Sequence, residues 1–151
     1  MFESNKDVTT LNSLIATTID SINGYRESAE AVESEQFREL FMSLERDRQQ
    51  ALSQLQAEVS RLGGSPEDDG TTLAAAHRAF VDLKSAVTGR DDKAIINEVE
   101  RGEDHIKHKF EDALGDDALS TETRSAIQTA FESVRRGHDR VRDLKHALES
   151  A

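Results

Sequence analysis

The sequence predicts an all-α protein: one domain over 1–151, folded as a four-helix bundle with one additional short crossover helix. Three observations carry this. Apolar residues recur at alternating steps of three and four, which draws one stripe along a helix. Four such segments, near 7–32, 35–62, 91–114 and 121–148, run about 24–28 residues, or about 36–42 Å at 1.5 Å per residue. The loop signals are few, and no segment alternates with the two-residue period of a strand.

The first stripe is Val8, Leu11, Ile15, Thr18, Ile22, Tyr25, Ala29 and Val32. The second is Phe37, Phe41, Leu44, Arg48, Ala51, Leu55 and Leu62, with Val59 alongside. Between Val32 and Phe37 the step is five, and Ser34 is placed to cap a new helix. A tight turn is expected there, with one continuous rod as the competing reading. Gly63-Gly64-Ser65-Pro66-Glu67-Asp68-Asp69-Gly70 is the clearest loop. A shorter stripe follows: Leu73, Ala76, Phe80, Leu83 and Val87, closed by Gly89. The next is Ile95, Val99, Glu103 (or Gly102), Ile106, Phe110 and Ala113. Ser120 or Thr121 opens the last, with Ile127, Phe131, Val134, His138, Val141, Lys145 and Leu148.

The 72–88 segment sets the topology. Fused to the helix after it, it would make a rod over about 60 Å long, overhanging the bundle by a third. A bend at Gly89-Arg90-Asp91-Asp92 instead lets it cross back, leaving the second and third long helices parallel. Simple up-down-up-down is the alternative.

Composition narrows the function more than it names one. The chain has 30 acids against 19 bases, a net charge of −11. It offers no basic patch that could release counterions, which argues against nucleic acid and anionic membranes as partners. Zero Cys excludes a disulfide scaffold and a thiol nucleophile. No apolar run approaches the 18 or so residues of a membrane span. The opening Met1-Phe2-Glu3-Ser4-Asn5-Lys6-Asp7 is polar and acidic, unlike a signal peptide, so a cytoplasmic location is expected. No nucleophile elbow, phosphate-binding Gly-rich loop or Cys pair appears, so nothing supports a hydrolase, kinase or nucleotide-binding reading.

Each long helix carries one polar residue where its stripe should stay apolar: Tyr25, Arg48, Glu103 and His138. With the crossover topology these fall in one layer roughly 8 Å thick. A buried phenol, guanidinium, carboxylate and imidazole must satisfy one another or bind something. The structural reading is an Arg48–Glu103 pair, with Tyr25 and His138 completing the hydrogen bonds. A mononuclear metal site at Glu100 or Glu103 with His138 and water is the rival. His105 and His108, among Glu100, Glu103, Asp104, Glu111 and Asp112, read as a solvated charged face, and a metal pair at i, i+3 is the alternative there. His77 reads as an interfacial histidine.

Several stretches resemble a known family: Leu11-Asn12-Ser13-Leu14-Ile15, Gly24-Tyr25-Arg26-Glu27 and Leu62-Gly63-Gly64-Ser65-Pro66-Glu67-Asp68. Glu100-Arg101-Gly102-Glu103-Asp104 and His138-Asp139-Arg140-Val141-Arg142 add to it. Over nearly the whole chain the sequence resembles the ferritin-like superfamily. Within it, it looks like a bacterial, stress-associated branch of small four-helix bundles grouped as a domain of unknown function. In di-iron members two helices each give a Glu and two others each give Glu-x-x-His. Carried over, the resemblance makes Glu27, Glu45, Glu100, Glu103 and His138 the candidate metal ligands. Two positions depart from the pattern: Arg48 stands in the His place beside Glu45, and Arg135 in the Glu place beside His138. Glu30, like Glu27, is displaced toward the side of its helix.

The function expected is therefore a non-catalytic ferritin-like bundle of bacterial stress response, acting through protein–protein contacts, with no cofactor. The alternative is a metal-binding protein, di-iron or mononuclear, that oxidises or handles iron. A homodimer and an unidentified protein partner are the partners expected. Ile22, Phe41, Leu44, Val99, Ile106, Phe131, Val134 and Val141 are expected in the core. Leu14, Ile19, Leu40, Leu52 and Ile96 lie beside the stripes and either widen the core or form a second seam.

Overall fold

The computed structural model describes residues 2–68 and 92–150. Among these it contains four helices and no strand: α1 Phe2–Ala31, α2 Glu35–Arg61, α3 Asp92–Leu114 and α4 Thr121–Ser150. The short 72–88 segment and His77 lie outside the described residues.

The helix ends follow from their capping chemistry. The Ser34 hydroxyl accepts from the Phe37 N–H at 3.3 Å, so α2 starts there and the continuous rod is ruled out. Arg38 reaches back across the turn and donates to the carbonyls of Ala29 (3.0 Å) and Val32 (2.8 Å). Those are carbonyls that the end of α1 would leave unpaired. At the far end of α2, Gly63 takes a φ of 80°. The Gly64 N–H then bonds the Val59 carbonyl and the Gly63 N–H bonds that of Ser60, each at 3.0 Å. This is the Schellman arrangement, which needs a left-handed residue at its turn. Ser120 caps α4, accepting from the Thr123 N–H at 3.3 Å.

Contacts at the two ends fix the directions. Gly64, just after α2, packs against Val8 near the start of α1, so α1 and α2 are antiparallel. The Asp92 carboxylate, at the start of α3, accepts from the N–H groups of Glu33 and Ser34, each at 3.1 Å. α3 therefore starts where α2 starts and runs parallel to it. The start of α4 meets Asp7 of α1 and Glu58 of α2, so α4 runs antiparallel to α2. Each helix packs on two neighbours, α1 on α2 and α3, α4 on α2 and α3. α2 and α3 lie diagonally, as the crossover topology requires.

Two hydrophobic clusters fill the bundle. One gathers Leu11, Ile15, Leu55, Ile106, Phe110 and Ile127. The other gathers Tyr25, Phe41, Leu44, Ile95, Ile96 and Val141. Arg48 and Glu103 sit between them, buried. Of the expected core, Ile22, Phe41, Leu44, Ile106, Val134 and Val141 are buried. Val99 and Phe131 are only half-buried, a correction to the expectation. Phe131 lies at the margin between α3 and α4, where its ring stacks on Phe110 at 5.8 Å. Leu14 and Ile96, beside their stripes, are buried and widen the core, whereas Ile19, Leu40 and Leu52 are half-buried. Among the described residues no helix is long and apolar enough to cross a membrane.

Candidate functional site: the buried polar layer

Arg48 is the centre of the layer. Its guanidinium is fully buried, and its Nη2 donates to Glu103 Oε2 at 2.6 Å and to the Val134 carbonyl at 3.2 Å. Its Nη1 donates to the Ser21 hydroxyl at 2.7 Å. Nε alone has no hydrogen-bond partner. The other Glu103 oxygen accepts from the Tyr25 hydroxyl. Tyr25 also offers its ring face, with Arg48 Cζ 5.6 Å from the centroid, inside cation–π range. All four helices thus contribute: α1 through Ser21 and Tyr25, α2 through Arg48, α3 through Glu103, and α4 through the Val134 carbonyl.

Gly137 makes the room. A Cβ built there would lie 2.7 Å from Arg48 Nη2 and 3.3 Å from a Leu44 methyl. Any side chain would have to displace the guanidinium. A glycine inside a helix costs roughly 1 kcal/mol relative to alanine, so its presence has a structural reason in this close approach.

The electrostatics follow the geometry. Burial pushes the Tyr25 phenol pKa well up, and the Glu103 charge adds to the shift. Burial alone would lower the Arg48 pKa, but Glu103 beside it reverses the sign, so the pKa is raised. The cation and the phenol proton are therefore both held firmly.

His138 is buried but turned away from this network. Its Nε2 lies 2.8 Å from Asp104 Oδ1 and its Nδ1 lies 3.3 Å from Asp139 Oδ1. The expected four-residue layer is thus a Tyr25–Glu103–Arg48 network beside a separate His138–Asp104 contact. Asp104, exposed on α3, was not foreseen as a partner, nor were Ser21 and Gly137.

The remaining candidate ligands are held apart, each by its own surroundings. Glu45 accepts from Arg26 Nε at 3.0 Å. Glu100 accepts from Lys145 at 2.8 Å. Glu27 is half-buried on α1, its pKa raised by burial and then by Glu30. His105 and His108 are exposed, and His108 Nδ1 contacts the Asp104 carbonyl at 2.7 Å. Among the described residues no group of three or more His, Asp and Glu side chains comes together to hold one metal ion.

A second polar cluster closes the other end of the bundle. Asp7 Oδ1 accepts from the Ser120 N–H at 3.2 Å. The Thr123 hydroxyl lies between Asp7 Oδ2 at 3.1 Å and Glu58 Oε2 at 2.9 Å. Arg61 clamps Glu58 through two hydrogen bonds, at 2.7 and 2.6 Å. Sequence reasoning missed this cluster, because Asp7 and Glu58 lie in polar stretches that read as surface.

Residues 6–116 match a family described as a domain of unknown function, DUF2383. The chain belongs to this family. The match covers α1 to α3 and stops before α4, so it includes Tyr25, Arg48 and Glu103 but not Gly137 or His138. No curated protein matches the chain. Among solved structures, it is similar to a two-domain protein from Anabaena variabilis containing DJ-1/ThiJ/PfpI-like and ferritin-like domains. The TM-score is 0.74 at 13% identity, over 98% of this chain and 38% of that one. The chain thus spans well under half the length of that protein. With the bundle topology above, this likeness shows a ferritin-like fold.

The di-iron pattern of that fold does not fit the residues present. It needs carboxylates and histidines converging on the bundle centre. Here the centre is filled by a guanidinium, which repels a dication and already engages the nearest carboxylate.

Proposed function

We propose that this member of the DUF2383 family is a non-catalytic ferritin-like bundle. On this reading it acts in the cytoplasm, in bacterial stress response, through protein–protein contacts. The observation that carries the first part is the Arg48–Glu103 pair at the bundle centre. A fixed internal cation stands where metal-binding relatives of the fold would gather acidic ligands, and Gly137 is shaped to admit it. Such a layer sets the register of the helices and adds little net stability. The stress association is supported by the sequence resemblance alone. Iron handling is the rival, and iron loading separates the two. Purified protein is incubated anaerobically with ferrous iron, desalted and assayed for bound metal. The expected result is iron well below one per chain, unchanged by Glu103→Ala. About one or two tightly bound irons per chain, lost in that variant, would overturn the proposal.

A further inference from the structure

The groove between the start of α2 and the end of α4 shares no hydrogen bond with the polar layer, although the Arg140 charge on its wall acts at a distance on Tyr25. Its volume is about 320 Å³. Phe37 and Leu40 of α2 and Leu144 of α4 form an apolar strip along it, each half-buried. Glu39 and Ser43 stand on the α2 wall and Arg140 on the α4 wall. Glu39 and Arg140 are exposed, and neither forms an ion pair or hydrogen bond among the described residues.

A strip with an acid on one wall and a base on the other is complementary to itself. A two-fold axis parallel to the groove carries the α2 wall of one copy over the α4 wall of the other. Glu39 then faces the partner's Arg140, and Arg140 faces the partner's Glu39. The same operation lays α2 antiparallel to α4 of the second copy, repeating the relation these helices have within one chain. The apolar strips meet at the centre, with charges at the rim, which is the usual order of an interface. The net charge of −11 on each chain opposes association. At physiological ionic strength the Debye length is about 8 Å, so that repulsion is largely screened while contact pairs persist.

We propose that this groove seats a second copy of the chain, in an isologous dimer with two Glu39–Arg140 pairs flanking the apolar strip. The proposal stands apart from the functional reading above, because it holds whether or not the bundle binds metal. Sedimentation velocity on the full chain tests it, with helix content checked by circular dichroism. The wild type is expected at twice 16.8 kDa in the micromolar range. Glu39→Arg and Arg140→Glu each reverse one charge in both pairs. Each is expected to weaken self-association about tenfold or more with helix content unchanged. The deciding sample is the mixture of the two variants. Glu39→Arg carries two basic groups at the rim and Arg140→Glu two acidic ones, so a mixed dimer restores both attractive pairs. Recovery of wild-type association in the mixture is expected, since pairing between chains requires it. A monomer at all concentrations would overturn the proposal and leave the groove to a different protein. A dimer indifferent to both reversals, or variants rescued only when both changes lie in one chain, would overturn it as well.

Discussion

At the scale of single residues, Arg48 and Glu103 decide how the centre of the bundle is built. Both were legible because a charged residue interrupted a regular apolar stripe. Their partners were legible only in part. Tyr25 lies on a stripe and was foreseen, whereas Ser21 lies off it and was not. Gly137 carried a signal of its own, a glycine three residues after Val134 on a core-facing helix, but its meaning needs the position of Arg48. His138 was placed at the right depth with the wrong partner, because spacing along a helix does not say which way an imidazole turns between two neighbours. The pair makes a quantitative prediction. Arg48→Met leaves Glu103 buried without its cation, and Glu103→Gln leaves the guanidinium without its anion. Each single change is expected to cost about 3–5 kcal/mol in urea unfolding. The double variant should cost less than either, because no isolated charge remains. Additive losses would mean that the two charges do not depend on each other.

At the scale of elements, helix limits were readable to within a few residues wherever an end had local chemistry. Ser34, Gly63 and Ser120 each mark a boundary through a cap that involves neighbours in sequence. Burial at the helix margins was less readable, since it depends on how far each helix is rotated against the next. Phe131 illustrates this. Its stripe position suggested a core ring, yet it sits half-buried over the fully buried Phe110. Phe110→Ala should therefore cost about 3–5 kcal/mol, as for an enclosed aromatic. Phe131→Ala should cost less, about 1–2 kcal/mol. Equal losses in chemical denaturation would place both rings in the same environment.

At the scale of the molecule, the topology was legible through length alone: four matched helices and one stretch too long for a tight turn. The tie that locks the ends was not, because Thr123 meets partners far from it in sequence: Glu58 at a separation of 65 and Asp7 at 116. That cluster joins α1, α2 and α4, so its charge state bears on the whole bundle. Arg61, and then the Thr123 hydroxyl, hold the Glu58 carboxyl pKa below its ordinary 4.5, although burial opposes them. A carboxyl whose folded pKa is depressed adds stability above its unfolded pKa, and that stability is lost as pH falls through the folded pKa. The wild type should therefore lose stability on acidification below about pH 4.5, as Glu58 takes up a proton and its clamp weakens. Glu58→Gln cannot titrate and lacks the charged clamp at every pH. Its deficit relative to wild type should be full near neutrality and should shrink steadily through the acidic range. Thermal unfolding of both proteins from pH 7 down to pH 3 reads this directly. A deficit that stays constant across that range would mean that the charge of Glu58 contributes nothing to the joint between the three helices.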